Sequence, residues 1–193
     1  MKVLVTGADG FSYRVTTTNG SDPILWKTSS TVGKHLGWFM DLYNTANNNT
    51  SHYGERQVSD SIVRGGKAIF TTLIPNASAC AFGGDGWLME LDAATGGQPA
   101  FAIFDINTNG VFGGLGDFVS VPQSAGGGTA APSGRKNPGI GIVPMPAILS
   151  RAGGEKEFKY MSGSSGTIDV VAENPGERTD FARETWQQHG VLE

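Results

Sequence analysis

The hexapeptide Gly37-Trp38-Phe39-Met40-Asp41-Leu42 returns 49 positions later as Gly86-Trp87-Leu88-Met89-Glu90-Leu91. In both copies large apolar side chains alternate, Trp38 with Met40 and Trp87 with Met89, so each set faces one side of a strand. A period of this size between β-type segments marks one structural unit that cannot bury its apolar face alone, and it points to propeller blades of four antiparallel strands. Trp38 and Trp87 would then belong to blade cores, with Asp41 and Glu90 at matching structural positions. Two unrelated Trp-containing strands that match by chance are the alternative.

The rest of the chain reads as all-β. Its 193 residues suffice for one substantial core, and 29 glycines, 9 prolines and only 17% charged residues accompany runs of Thr, Val, Ile and Phe. Residues 57–73 read as strand, tight Gly65-Gly66 turn, strand. Asp92 to Gly97 form a polar turn, and strand signals resume at 140–143, 147–149, 157–161 and 167–171. Ser124 to Gly134 is rich in Gly, Ala and Ser and reads as a flexible surface loop. Thr179 to Gln188 reads as a short C-terminal helix. About four strands per blade gives roughly three to four blades, against the usual four to eight of a closed propeller. Residues 1–193 are therefore expected to form a single propeller-type domain, partial or complete and most simply the C-terminal part of a larger one. Open edge strands would otherwise invite self-association.

Several classes are disfavoured. Met1 to Phe11 has the look of a dinucleotide-binding strand and turn, but position 13 is Tyr13 rather than the third glycine, and a β-branched run follows instead of a helix. A strand, a Gly-containing turn and a second strand explain the same residues. A net charge of −4 offers no basic stripe for nucleic acid. His35, His52 and His189 are scattered, and the lone Cys80 can form neither a zinc cluster nor an internal disulfide. The sequence contains no apolar run long enough to span a membrane. The absence of an apolar leader fits a cytosolic protein or a piece cut from a longer exported chain.

The sharpest chemical signal is Asp105-Ile106-Asn107-Thr108-Asn109-Gly110-Val111. Calcium takes six to eight oxygen ligands at roughly 2.3–2.6 Å, so its loops place side-chain oxygens at positions 1, 3 and 5, glycine at 6 and a carbonyl at 7. Asp105, Asn107, Asn109, Gly110 and the Val111 carbonyl fill those slots. Asp117 follows at position 13 rather than 12, leaving one residue of slack for Gly113, Gly114 and Gly116 to absorb. Two carboxylates just neutralise a divalent ion, which implies modest affinity and suits a calcium-rich exterior. An Asn-Thr-Asn-Gly hairpin turn with no ion is the other reading.

Residues 54–60, 69–75 and 80–93, followed in order by Val143-Pro144-Met145-Pro146-Ala147-Ile148-Leu149 and by 160–166, resemble the C-terminal propeller of the PilY family, type IV pilus tip-associated biogenesis proteins and adhesins. The resemblance runs from about Trp26 to about Gln188. It implies a modified quinoprotein-like β-propeller, exported to the pilus tip, cell surface or outer membrane, that supports pilus extension, surface attachment and twitching motility. It also implies a calcium site at Asp105, Asn107, Asn109, Val111 and Asp117, although the family has Asp at the place of Asn109 and a ligand-bearing residue at that of Gly113. The implied partners are major or minor pilins and host or abiotic surfaces. Two other function classes stand beside this one: a quinone-dependent dehydrogenase, with Trp38 or Trp87 stacking a cofactor, and a carbohydrate-binding surface module using Trp26 or Trp186. No catalytic constellation supports an enzyme.

Overall fold

The computed structural model of the chain describes residues 2–7, 9–16, 35–42, 54–76, 83–121, 123, 127–151 and 154–176. Its first hairpin pairs β1 (Lys2–Thr6) with β2 (Ser12–Thr16) in antiparallel register, Lys2 opposite Thr16 and Thr6 opposite Ser12. The turn closes through the Gly7 N–H on the Phe11 carbonyl at 2.9 Å and the Phe11 N–H on the Asp9 carboxylate at 3.0 Å. The strand–turn–strand reading holds there, and no helix follows the Gly7 turn.

The second hairpin joins β3 (Ile62–Arg64) to β4 (Lys67–Pro75) through Gly65 and Gly66, with φ of 55° and 73°. Positive φ at both central residues makes the turn twist with its strands, which is why two glycines stand there. β4 pairs along its whole length with β5 (Gly84–Asp92). At the far end of β5 the Asp92 carboxylate accepts the N–H groups of Ala94 and Thr95 and the Thr95 hydroxyl, fixing the expected polar turn.

After a long excursion through β6 (Val119–Ser120) and β7 (Thr129–Ala130), the chain returns as β8 (Gly134–Lys136) and inserts between β2 and β5. The result is a six-stranded antiparallel sheet in the order β1-β2-β8-β5-β4-β3, with β6 and β7 forming a separate pair. β9 (Ala147–Ser150), β10 (Glu157–Ser162) and β11 (Ile168–Glu173) form a three-stranded antiparallel sheet in the order β11-β10-β9.

Alternation along β4 and β5 gives the large sheet two buried faces. Ile69 and Leu88 point into a core shared with Tyr13, Val15, Ile103, Phe104, Ile106, Met161 and Val171, which lies between the two sheets. Phe70, Ile74, Trp87, Met89 and Leu91 point the other way, into a second core covered by Trp38, Met40 and Leu42. The Arg14 guanidinium lies 3.9 Å above the Trp87 ring and is bound at both ends by Glu55, at 2.5 and 2.7 Å. Burial pulls the Arg14 pKa down, and the bidentate pair with Glu55 opposes that shift.

Several expectations need correction. The class is all-β and antiparallel, but the sheets hold six, three and two strands, and none closes on itself among the described residues. The two hexapeptide copies are not equivalent strands. Gly86–Leu91 lies inside β5, whereas Gly37–Leu42 pairs with no strand and instead lays Trp38, Met40 and Leu42 over the core of the other copy, with Phe39 turned outward. The alternation was a sign of burial, and burial did not require a ladder. Residues 140–143 form turns rather than a strand, because Gly139 and Gly141 adopt φ of 86° and 82°, although Ile140 and Val143 still enter the core. The loop expected over 124–134 is not a surface loop in its second half: Ala130 to Gly134 are buried, and Ser133 accepts the Glu90 N–H and donates its own to Arg14. The expected C-terminal helix, Trp26, Trp186 and Cys80 lie outside the described residues.

Candidate functional site

The loop from Asp105 to Asp117 leaves the inter-sheet core at Ile103, Phe104 and Ile106, all fully buried apolar residues that fix where it starts. Phe104 also makes an antiparallel bridge with Glu173 at the end of β11. From there backbone N–H groups gather round side-chain oxygens. Asp105 accepts from Asn109 at 3.1 Å with one oxygen and from Gly110 at 2.7 Å with the other. Asn107 accepts from Asn109 at 3.0 Å, and Asn109 from Val111 at 2.8 Å. The curl needs left-handed backbone at Thr108, Gly110 and Gly113, with φ of 57°, 81° and 89°; glycine meets that demand without strain at two of the three.

The extra residue before Asp117 is absorbed by a turn of 3-10 helix over Leu115–Asp117, closed by the Asp117 N–H on the Gly114 carbonyl at 3.0 Å. This turn carries the Asp117 carboxylate inward, where it is completely buried and accepts the N–H groups of Ile106 at 3.1 Å and Gly113 at 3.0 Å. Gly116 packs against the Asn107 side chain so closely that a Cβ there would collide with it. Asp105, Asn107, Asn109 and Asp117 thus belong to one closed loop. Val111 stands exposed at its tip, tied in through its N–H.

The donor set fits a hard cation. Every candidate ligand is an oxygen, and among the described residues no lysine or arginine is ion-paired with Asp105 or Asp117. A buried carboxylate compensated only by backbone N–H groups retains lone pairs for a positive charge. Among the described residues no group of three or more His, Cys, Asp or Glu is placed to hold a metal ion, so the loop would rely on amide and main-chain oxygens beside its two carboxylates. Lys156 packs beside the loop, its ammonium close to Gly110 and 5.7 Å from the Phe112 ring centre.

A second polar assembly went unread in the sequence. Lys159 of β10 buries its ammonium between Glu90 of β5, at 2.6 Å, and Glu173 of β11. Lys67 of β4 binds Glu90 at 2.9 Å and the Asn174 carbonyl at 2.8 Å. Glu157 lies 3.6 Å from Lys159 and pairs with Arg64 at 2.7 Å, and the same Arg64 reaches the Ser150 hydroxyl. Burial would raise the Glu90 carboxyl, but Lys159 and Lys67 hold it down to about 2. Burial and the neighbouring Glu90 charge push Glu173 well above the ordinary carboxylate value. Burial opposes the charge on Lys159, yet the two carboxylates keep its pKa above that of a free lysine. The only trace in sequence is the alternation of Glu157 and Lys159 with Phe158 and Tyr160, which reads as a solvated face.

Of the tryptophans proposed as stacking residues, Trp87 is closed to a cofactor and Trp38 is half-buried. Trp87 is fully buried beneath Arg14, and Trp38 donates its indole N–H to the Ala93 carbonyl at 2.9 Å while packing on the second core. Among the described residues no helix is long and apolar enough to cross a membrane.

No family model matches the chain. It is 29% identical over 86% of its length to the type IV pilus biogenesis factor PilY1 of Pseudomonas aeruginosa strain PAO1, and 36% identical over 50% of its length to a PilY1 homolog of Xylella fastidiosa. Those alignments span only 13% and 8% of the relatives' own lengths. The fold superposes on the crystal structure of the Pseudomonas aeruginosa PilY1 C-terminal domain with a TM-score of 0.64 and 23% identity, over 92% of this chain and 30% of that one. Sequence likeness along most of the chain and a shared all-β fold make it similar, at the level of family, to the PilY1 proteins.

Proposed function

We propose that this chain is a calcium-responsive, non-enzymatic module of an exported type IV pilus biogenesis and adhesion protein, and that it forms part of a larger modified quinoprotein-like propeller. The observation that carries the calcium reading is the buried Asp117 carboxylate, closed into one loop with Asp105, Asn107 and Asn109 and, among the described residues, ion-paired with no lysine or arginine. Asp105, Asn107, Asn109, the Val111 carbonyl and Asp117 would hold the ion. Bound calcium would supply positive charge to a loop that carries two carboxylates, Asp105 and Asp117. The chain's own contribution is the curl, which its backbone hydrogen bonds already maintain. A surface at the loop tip, including the exposed Val111 and Leu115, would then be presented to pilins or to an external surface.

The propeller reading draws on the outer face of the three-stranded sheet. Ala147, Leu149, Phe158, Tyr160, Ile168 and Val170 share that face by register, and Leu149, Tyr160, Ile168 and Val170 are 57, 40, 70 and 47% exposed. A further sheet packed there would cover apolar surface that a monomer does not ordinarily leave open.

Calorimetry tests the cation reading. Calcium should bind at about 10⁻⁴–10⁻³ M or tighter, as weak extracellular loops do, and Asp105→Ala should abolish the heat. Equal heats in wild type and variant would remove this loop from the function. In cells, the full-length protein carrying Asp105→Ala should give fewer surface pili in a calcium-dependent manner.

A further inference from the structure

The buried ion network and the cation loop meet at one pair of residues. Glu173 and Asn174, at the end of β11, hold the last residues before the loop: Glu173 bridges Phe104, and the Asn174 N–H bonds the Ile103 carbonyl at 2.8 Å. The same two residues are held from the other side by lysines, Glu173 through its carboxylate by Lys159 and Asn174 through its carbonyl by Lys67. Both lysines converge on Glu90, in the middle of the six-stranded sheet. The side chains of Lys67, Glu90, Lys159 and Glu173 are all 0–1% exposed. Asp105 follows Phe104 directly, and the next N–H, that of Ile106, is a donor that fixes Asp117. A shift of the Ile103–Phe104 segment therefore moves both carboxylates of the loop.

We propose that Lys67 and Lys159 are positioning residues for the cation loop: by clamping Glu173 and Asn174 to Glu90 they set the register in which Asp105 meets Asn107, Asn109 and Asp117. This rests on the cation reading above and deepens it. Fully desolvated charges have few acceptable arrangements, since a carboxylate displaced from its ammonium inside the protein loses its partner without regaining water. The network accordingly holds β11 at one setting against β4 and β5. Cation affinity and docking of the small sheet on the large one become linked, and the linkage is reciprocal: whatever loosens the network weakens the loop, and a filled loop steadies the network.

The test compares Lys67→Met and Lys159→Met with Leu91→Ala, which damages the second core on the opposite face of β5. Calcium affinity is measured by calorimetry, and exchange of the Asn109, Gly110 and Gly113 amides by hydrogen–deuterium exchange without calcium. Both lysine variants should weaken calcium binding by between about two- and thirtyfold, and those amides should exchange faster. Leu91→Ala should lower the melting temperature with affinity and loop exchange unchanged. Where Lys159→Met does not fold, Lys67→Met bears the test, since it removes only the hold on Asn174 and one of the two lysines on Glu90. Wild-type affinity and wild-type loop exchange in a folded lysine variant would overturn the proposal. If wild type itself bound no calcium, the cation reading would fail, and amide exchange would still decide whether the network positions the loop.

Discussion

The two faces of the β9–β10–β11 sheet invert the usual order. Its inner face carries Glu157, Lys159 and Glu173, which are buried, while its outer face carries Leu149, Tyr160, Ile168 and Val170, which are exposed. The inner face has met its partner: charges there find opposite charges on Glu90 and Arg64, beside apolar packing through Met161 and Val171. The outer face displays a composition suited to burial, yet Leu149, Tyr160, Ile168 and Val170 stand exposed on it. The contrast teaches that residue type alone does not assign a face. The inner face is specified by charge pairing, which allows one setting, and the outer face by shape and apolarity, which tolerate several.

The most severe way to break this contrast is to remove the ammonium at its centre. Lys159→Met leaves Glu90 with only Lys67 and strands Glu173 beside it, and breaking a buried pair from one side costs about 3–5 kcal/mol. Urea unfolding should show that loss. Replacing Lys67, Lys159, Glu90 and Glu173 together by apolar residues of similar volume should restore most of it, because none of these charges is then left buried without a partner. A loss under about 1 kcal/mol in the single variant, within the range of ordinary surface pairs, would mean that water reaches the network.

Of the two faces, the inner one, with its partner Glu90, is the one that acid and alkali reach. Glu90 is held below its unfolded value of 4.5, so its contribution is complete above that pH and is lost as the pH falls toward about 2. Glu173 has the opposite sign: with a folded value raised above 4.5, it favours the native state most in acid and less as the pH rises. Lys159, raised above 10.5, keeps its contribution up to that pH and loses it beyond. Stability measured by chemical denaturation should therefore fall between pH 4.5 and 2 in wild type and fall less steeply in Glu90→Gln. Glu173→Gln should gain on wild type as the pH rises above 4.5, and parallel profiles for these proteins would show that both carboxylates titrate as if in water.

The outer face should respond to context instead of pH. Val170→Thr and Leu149→Thr should change the stability of this chain by no more than about 0.5 kcal/mol, as exposed substitutions do. The same changes in a longer piece of the protein that supplies the covering sheet should cost about 1–3 kcal/mol, the transfer term of a buried aliphatic side chain. Binding of a hydrophobic dye should fall in the variants of the short chain only. Equal costs in both lengths would show that no sheet covers this face.

Local chemistry was legible wherever a few adjacent residues determine it. The Gly65-Gly66 hairpin, the Asp92 turn, the Gly7 turn and the curl after Asp105 each depend on backbone freedom or short-range hydrogen bonds written within about five positions. What could not be read depends on partners far away in the chain. The insertion of β8 between β2 and β5 puts Gly134 beside Met89, where any side chain would collide with the thioether, so a segment with almost no apolar surface became interior. Trp38 and Trp87 share a sequence pattern and differ in structure, because one copy pairs into a ladder and the other covers it. Lys159 and Glu90 are 69 positions apart, and strand alternation gives the face on which each lies but not which face will be buried.

The mildest test contrasts the central network with an ion pair at the rim of the same sheet. Lys136 of β8 pairs with Asp85 of β5, but these side chains are 18 and 35% exposed, and the ammonium is also 5.8 Å from the Trp87 ring centre. Water can solvate either partner once the other is gone, and salt screens the attraction. Lys136→Ala should therefore cost about 0.2–1 kcal/mol, with a wild-type calcium affinity, and the cost should shrink in 1 M salt. Lys159→Met should be nearly as damaging in high salt as in low, because its charges have no contact with mobile ions. If the two variants shared the same salt dependence, depth in the sheet would not be what separates a structural ion network from a decorative pair.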